Sequence, residues 1–215
     1  MKVGILGSGD VGRALGRGFA SRGHEVKIGS RKPNAKELQA WVKETKGKGS
    51  VGSPAEAAAF GDVLVLAVVG EAAESAIDLA GPRNFDGKVV IDSMNPLDFS
   101  SGMPPGLFVG MTDSLGERVQ RKLPKARVVK CFNIVGNANM VDPKFPGGPP
   151  DMMIAGNDKR AKAKVTEIVK EFGWPGAIDV GGIDGARGLE AIVPLWVRVC
   201  TALGEWNVAW KVLHR

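Results

Sequence analysis

Apolar positions along this 215-residue chain follow two periods. Short apolar-rich runs stand at 3–6, 26–28, 63–68, 89–91 and 128–131. Between them, helical spacing covers 11–22, 34–44, 54–60 and 72–80. A near-continuous apolar run is how a parallel strand buried on both faces reads, and the three-to-four spacing is that of an amphipathic helix. Their alternation predicts an α/β fold: a Rossmann-type, doubly wound parallel sheet with helices on both faces. A Pro/Gly/Ser-rich loop over 92–110 and one further helix precede the strand at 128–131. The turn-rich stretch PKFPGGPP at 143–150 is the best boundary between substructures. Beyond it the pattern predicts strands at 152–155 and 177–180 and a helix over 159–172, with Asp158 placed as its N-cap. Leu189, Ile192, Trp196, Val199, Leu203, Trp206 and Trp210 recur at helical spacing. They predict one long amphipathic helix over 186–211, a C-terminal helical extension that Pro194 kinks by removing a backbone donor.

The first strand runs directly into Gly7-Ser8-Gly9-Asp10-Val11-Gly12, a GxGxxG that opens the first helix. Gly7 permits the tight turn, Gly9 lets a pyrophosphate approach the backbone, and Gly12 lets helix and strand pack closely. The free N–H groups and positive dipole end of the helix then hold phosphate. Asp10 is repelled by a pyrophosphate, so its side chain either turns aside and caps the helix, the expected role, or faces the reacting substrate. The end of the second strand selects the nucleotide. An NAD site places Asp or Glu there; this chain has Gly29-Ser30-Arg31-Lys32. A hydroxyl and two cations without a carboxylate suit a 2′-phosphate, so NADP(H) is the expected cofactor.

The nicotinamide end should lie over the carboxyl ends of later strands, at Val68-Val69-Gly70, Ser93-Met94-Asn95-Pro96 and Asn133 through Asn137. Asn95 and Asn133 offer hydrogen bonds to a ligand or, equally, cap their own loops. Composition narrows the chemistry further. The chain has no tyrosine and two histidines. His24 belongs to the turn expected at the far end of the sheet, and His214 is penultimate. No side-chain acid or base is therefore assigned, and the Tyr-Lys dyad of short-chain dehydrogenases is excluded. An acceptor that brings its own redox ring needs mainly orientation and a dry wall. Imine reduction is also undemanding. The two cysteines, Cys131 and Cys200, form no CxxC pair, so neither zinc nor a disulfide framework is expected and a reducing cytosol fits. Cys131 reads as a buried strand residue. No run is long enough to span a membrane, and MKVGILG is too short for a signal peptide. Net charge is +6, but the densest basic run, at 43–48, lacks interleaved aromatics, and no nucleic-acid motif accompanies it.

GSGDVGRALG, GHEVKIGSRKP, IDSMNPL and the ending GARGLEAIVPLW…ALGEWNVAW resemble the NADPH:deazaflavin oxidoreductases, the coenzyme F420-dependent NADP reductases, over nearly the whole chain. The Ser-Gly-Asp and Gly-Ser-Arg loops and Val129-Lys130-Cys131-Phe132-Asn133 are also similar to the cytosolic domain of six-transmembrane metalloreductases. The resemblance implies NADP contacts from Ser8 to Val11, at Ser30 and Arg31, at Lys36 of the following helix, at Val68, and around Asn95 and Asn137. It implies an acceptor site at Asn133, where the family can carry histidine, and at Trp206, which matches a position near the deazaflavin ring. From spacing alone Trp206 reads as core. The expectation is a cytoplasmic NADPH-dependent reductase that exchanges a hydride with a flavin or deazaflavin. Residues 1–126 would form its NADP-binding core, and 127–215 would complete one compact unit and the acceptor site. The broad aromatic stripe fits a homodimer. The alternatives are an imine or pyrroline-type reductase and a non-catalytic NADP-sensing module.

Overall fold

The computed structural model describes residues 1–214. In chain order the strands are β1 (Lys2–Leu6), β2 (Glu25–Gly29), β3 (Gly49–Gly52), β4 (Val63–Leu66), β5 (Val89–Asp92), β6 (Leu97–Asp98), β7 (Gly106–Leu107), β8 (Arg127–Lys130), β9 (Met152–Gly156) and β10 (Ala177–Asp179). The α-helices are α1 (Asp10–Ser21), α2 (Lys36–Glu44), α3 (Pro54–Phe60), α4 (Ala73–Ala80), α5 (Leu115–Lys122), α6 (Lys159–Glu171) and α7 (Ala186–Leu203).

Eight strands make one sheet in the order β10-β9-β8-β5-β4-β1-β2-β3. The six from β3 to β8 are parallel. Their order is that of the dinucleotide-binding doubly wound folds, with the topological switch between β1 and β4. Side chains along the strands alternate between two cores, as pleating requires. Ile5 and Val65 join Phe19 of α1, Trp41 of α2, Val165 of α6 and Leu189 of α7 on one face. Leu6, Leu64 and Leu66 join Ala57 of α3, Ile77 of α4 and Val119 of α5 on the other.

Three departures from the sequence reading have physical causes. First, the sheet is not wholly parallel: β9 pairs antiparallel with β8, Val129 opposite Gly156, and β10 follows β9. No α-helix lies between β8 and β9, and a parallel return needs a crossover that an antiparallel one does not. Second, β3 was not expected. It is short and glycine-bounded, and its ladder with β2 rather than its own side chains defines it. Third, the helix expected over 186–211 stops at Leu203. Gly204 adopts a left-handed conformation (φ 66°), which glycine accepts without strain and which ends a helix. Trp206 and Trp210 therefore lie on an irregular tail, pinned where Val212 N–H donates to Asp151 (2.8 Å) and Asp151 N–H to the Trp210 carbonyl (2.9 Å). Pro194 stands inside α7 as expected. Asp158 caps α6, accepting from Ala161 N–H at 2.7 Å. Among the described residues no helix is long and apolar enough to cross a membrane.

Candidate functional site

A cleft of about 740 Å³ opens at the β1/β4 switch, lined by Gly7, Ser8 and Gly9 after β1, by Ser30, Arg31 and Lys32 after β2, and by Val68 and Val69 after β4. The three glycines differ in their surroundings. Gly7 has φ 130°, and a Cβ there would strike the Ala67 carbonyl; a Cβ on Gly12 would strike the Gly7 carbonyl. At Gly9 an added Cβ meets nothing within 4 Å. Its lack of a side chain serves the cleft rather than the packing. Gly9 is also the N-cap of α1, and no side chain caps this end, so the first-turn N–H groups stay available.

Asp10 does not cap. It is the first residue of α1, and its carboxylate turns to Arg13 (Nη2–Oδ1 2.6 Å), whose other nitrogen donates to the Ser8 carbonyl (2.8 Å). The i,i+3 ion pair draws the negative charge aside. Arg13 thus supports the loop, and its spacing from Asp10 was the available signal. Ser8 and Ser30 bring their hydroxyls to 3.2 Å, joining the two loops, and Ser30 Oγ accepts from Lys32 N–H. Among the described residues, neither Arg31 nor Lys32 pairs with a carboxylate, and no Asp or Glu lines the cleft. A dinucleotide with an extra phosphate fits such an arrangement of free N–H groups, hydroxyls and unpaired cations.

Val68 and Val69 also line a second cavity of about 200 Å³, with Val11, Ser93, Met94 and Asn95. Asn95 is locked by its neighbour Asn133. Its Nδ2 donates to the Asn133 carbonyl (2.8 Å), and its Oδ1 accepts from Asn133 Nδ2 (2.9 Å). Asn133 is buried behind Asn95, donates also to the Leu189 carbonyl (2.9 Å), and keeps one oxygen without a partner among the described residues. Loop-holding and cleft-lining are thus divided between the two amides.

Six expected residues line neither cavity: Asp10, Gly12 and Asn133, whose places are given above, and Lys36, Asn137 and Trp206. Lys36 is the exposed first residue of α2, Asn137 is exposed in the turn after β8, and Trp206 lies on the tail. Trp206 is 55% exposed and leans on Trp196, ring centres 5.8 Å apart. Trp196 in turn donates to the Val208 carbonyl. The Trp206 carbonyl comes within 3.6 Å of a Cβ built on Gly136, which sets the tail beside the 136–139 turn. His24 pairs with Glu171 (2.8 Å) where Glu25 N–H meets the Met1 carbonyl, at the amino ends of the strands and away from the cleft. Cys131 is fully buried, and burial pushes its thiol up, so it is no nucleophile. Sequence reasoning gave no role to Lys130, a wholly buried cation three residues before Asn133.

Comparison with known proteins bears on this arrangement. Residues 2–96 match the family described as NADP oxidoreductase, coenzyme F420-dependent. The F420-dependent NADP reductase of Methanocaldococcus jannaschii is 32% identical, covering 92% of this chain and 91% of that protein. The rat metalloreductase STEAP3 is 31% identical over 94% of this chain, which spans 39% of that longer protein. The crystal structure of a candidate F420-dependent NADP reductase from Arthrobacter sp. FB24 superposes with a TM-score of 0.95 at 40% identity, over the full length of both chains.

Proposed function

The chain belongs to the coenzyme F420-dependent NADP oxidoreductases, and on that premise we propose that it moves a hydride between NADP(H) and a deazaflavin or flavin. One observation carries the reading. The glycine-lined cleft, free of carboxylates and rimmed by Ser30, Arg31 and Lys32, runs past Val68 into a smaller cavity lined by Asn95. A dinucleotide extended along that path would have its phosphates on the α1 N-terminus and its 2′-phosphate against Ser30, Arg31 and Lys32. Its nicotinamide would lie against Val11, Val68 and Asn95.

Bound there, the nicotinamide supplies a hydride donor or acceptor at its C4. The protein's part is to orient and to exclude water. Val11, Val68 and Val69 form an apolar wall, and the Asn95–Asn133 pair gives a fixed polar edge. No acid or base is required of the chain when the acceptor ring manages its own electrons. We assign the acceptor contacts to Asn133, behind Asn95, and to Trp206 on the tail, and assign Lys36 and Asn137 to cofactor contacts; none of the four lines either cavity here. The solvent-facing apolar positions Leu195 and Leu203 of α7 support a homodimer. Two free buried cysteines support residence in the cytoplasm.

The deciding assay follows NADPH absorbance with coenzyme F420, FMN, FAD, ferric chelates and cyclic imines offered separately. Oxidation with deazaflavin or flavin is expected. Turnover of imines alone would transfer the chain to imine reduction, and tight NADPH binding without oxidation by any acceptor would make it a sensing module.

A further inference from the structure

Behind the smaller cavity lies a group of charges that the proposed reaction does not use. Asp92 ends β5 and Lys130 ends β8, and the two are direct partners in the parallel ladder. Lys130 Nζ lies 2.9 Å from Asp92 Oδ2 and 2.7 Å from Glu190 Oε1 of α7, and it donates to the Met94 carbonyl at 2.8 Å. Glu190 accepts in addition from the N–H groups of Leu115 (2.8 Å) and Gly116 (2.9 Å) at the start of α5. Asp92 Oδ1 accepts from Met94 N–H at 2.9 Å. All three side chains are essentially inaccessible to water.

Such a group is a poor choice for stability alone. One ammonium shares two carboxylates, and removing three charges from water costs several kcal/mol apiece before pairing offsets it. Burial holds the Glu190 carboxyl above its usual range against the pull of Lys130. Burial likewise opposes the Lys130 charge, but the two carboxylates outweigh it and hold the ammonium above its usual value. A well-packed apolar core would serve folding as well.

The connectivity gives the group a purpose. Asp92 and Lys130 grip Met94 by its N–H and its carbonyl, and the next residue is Asn95. Asn95 bonds Asn133 twice, Asn133 bonds the Leu189 carbonyl, and the next residue is Glu190, which returns to Lys130. A closed circuit therefore runs through the ends of β5 and β8 and the second turn of α7. Only Met94 and Asn95 of its members line the smaller cavity. Pro194 adds to the argument, because it cannot donate to the Glu190 carbonyl four residues earlier. The helix is released at the residue whose side chain anchors it.

We infer that Asp92, Lys130 and Glu190 are positioning residues, which fix the Asn95–Asn133 amide pair and the adjoining turn of α7 against the nicotinamide half of the bound cofactor. The inference rests on the cofactor path given under Proposed function but not on the identity of the acceptor. Among the described residues no side-chain hydrogen bond or ion pair joins these three to the phosphate loop or to Arg31, so the two halves of the cofactor should respond differently to their loss.

The test compares the wild type with Glu190→Gln and Asp92→Asn, each of which preserves shape and replaces an accepting oxygen with a donor. Binding of NADPH and of adenosine 2′,5′-bisphosphate, which lacks the nicotinamide, is measured by calorimetry. Affinity for the bisphosphate should stay within about twofold, while NADPH affinity, hydride-transfer rate in a single turnover, or both fall about tenfold, since small misplacements at a reacting centre are costly. Lys130→Met leaves two unpaired buried carboxylates and can fail to fold. The triple variant Asp92→Asn/Lys130→Met/Glu190→Gln removes every charge and should show the same split. Equal losses for both ligands would reduce the group to general scaffolding, and unchanged NADPH affinity together with an unchanged transfer rate would dismiss it. A wild type that passes no hydride to any deazaflavin or flavin sinks the proposed reaction, and the ratio of the two affinities then decides this inference alone.

Discussion

Replacing Arg31 with alanine tests the nucleotide reading at its most exposed point. The side chain stands at the rim of the larger cleft, and neither it nor Lys32 pairs with a carboxylate among the described residues. Nothing in the protein is left unsatisfied by its removal, so the loss reports on ligand rather than on fold. A hydrogen bond to a charged group contributes about 1.5–3 kcal/mol. Solvent reaches this rim and Lys32 remains to share the phosphate, so the lower end applies: about 1.5 kcal/mol, or roughly tenfold in NADPH affinity. Arg31→Ala/Lys32→Ala removes both cations and should cost about 3 kcal/mol, roughly a hundredfold or more. NADH has no 2′-phosphate, and its affinity should move by less than about twofold in either variant. Titrations of both nucleotides at low and high salt supply the measurement. The wild-type preference for NADPH should shrink as ionic strength rises, because exposed charges are screened. An Arg31→Ala protein that keeps the full preference would refute the assignment of Ser30, Arg31 and Lys32 to a 2′-phosphate.

Two further predictions separate packing from binding and acid from neutral behaviour. Gly7→Ala forces a side chain to φ 130° and into the Ala67 carbonyl, costing at least about 2 kcal/mol and lowering the melting midpoint by about 4 °C or more. Gly9→Ala meets open space, so its midpoint should stay within about 1 °C while NADPH affinity drops about tenfold or more; the reverse pattern in thermal melts and titrations would contradict the division of roles. The Arg187 hydrogen bond, aided by Ser114, holds the Glu117 carboxyl below its usual value, joining α5 to α7. A depressed acid stabilises the fold above its unfolded pKa of about 4.5 and loses that contribution as pH falls through the folded value. Urea unfolding between about pH 6 and 3 should therefore show a shallower acid decline in Glu117→Gln than in the wild type; identical slopes would count against the linkage.

How far each half of the site could be read in advance follows from the range of the interactions that make it. The phosphate loop is local. Strand, glycines and helix occupy consecutive residues, and each glycine's role follows from where it stands between them. Ser30-Arg31-Lys32 is equally legible, because the second strand of such a fold always ends beside the first loop. Asp10 was misread within the same segment, since N-cap and first helical position differ by one residue and the pull of Arg13 chooses between them. The helix over 186–211 failed for a related reason. Apolar spacing continues through Trp206 and Trp210, but spacing records which residues seek a core and not whether a left-handed Gly204 lets the chain leave the helix on the way.

The second half of the site is held by contacts that no window along the chain contains. Asn95 meets Asn133 across 38 positions, and Asn133 meets Leu189 across 56. Lys130 within VVKC reads as an interruption in a strand, and Glu190 as one charge on an amphipathic helix. Only the adjacency of β5 and β8 at their carboxyl ends, with α7 folded over them, turns two expected exceptions to burial into partners. A buried charge in a predicted strand, one residue from its carboxyl end and close to a candidate polar loop, is thus a stronger pointer than the asparagines themselves. An isolated buried cation is costly, so it implies carboxylates from distant elements, and those elements must then converge beside the loop.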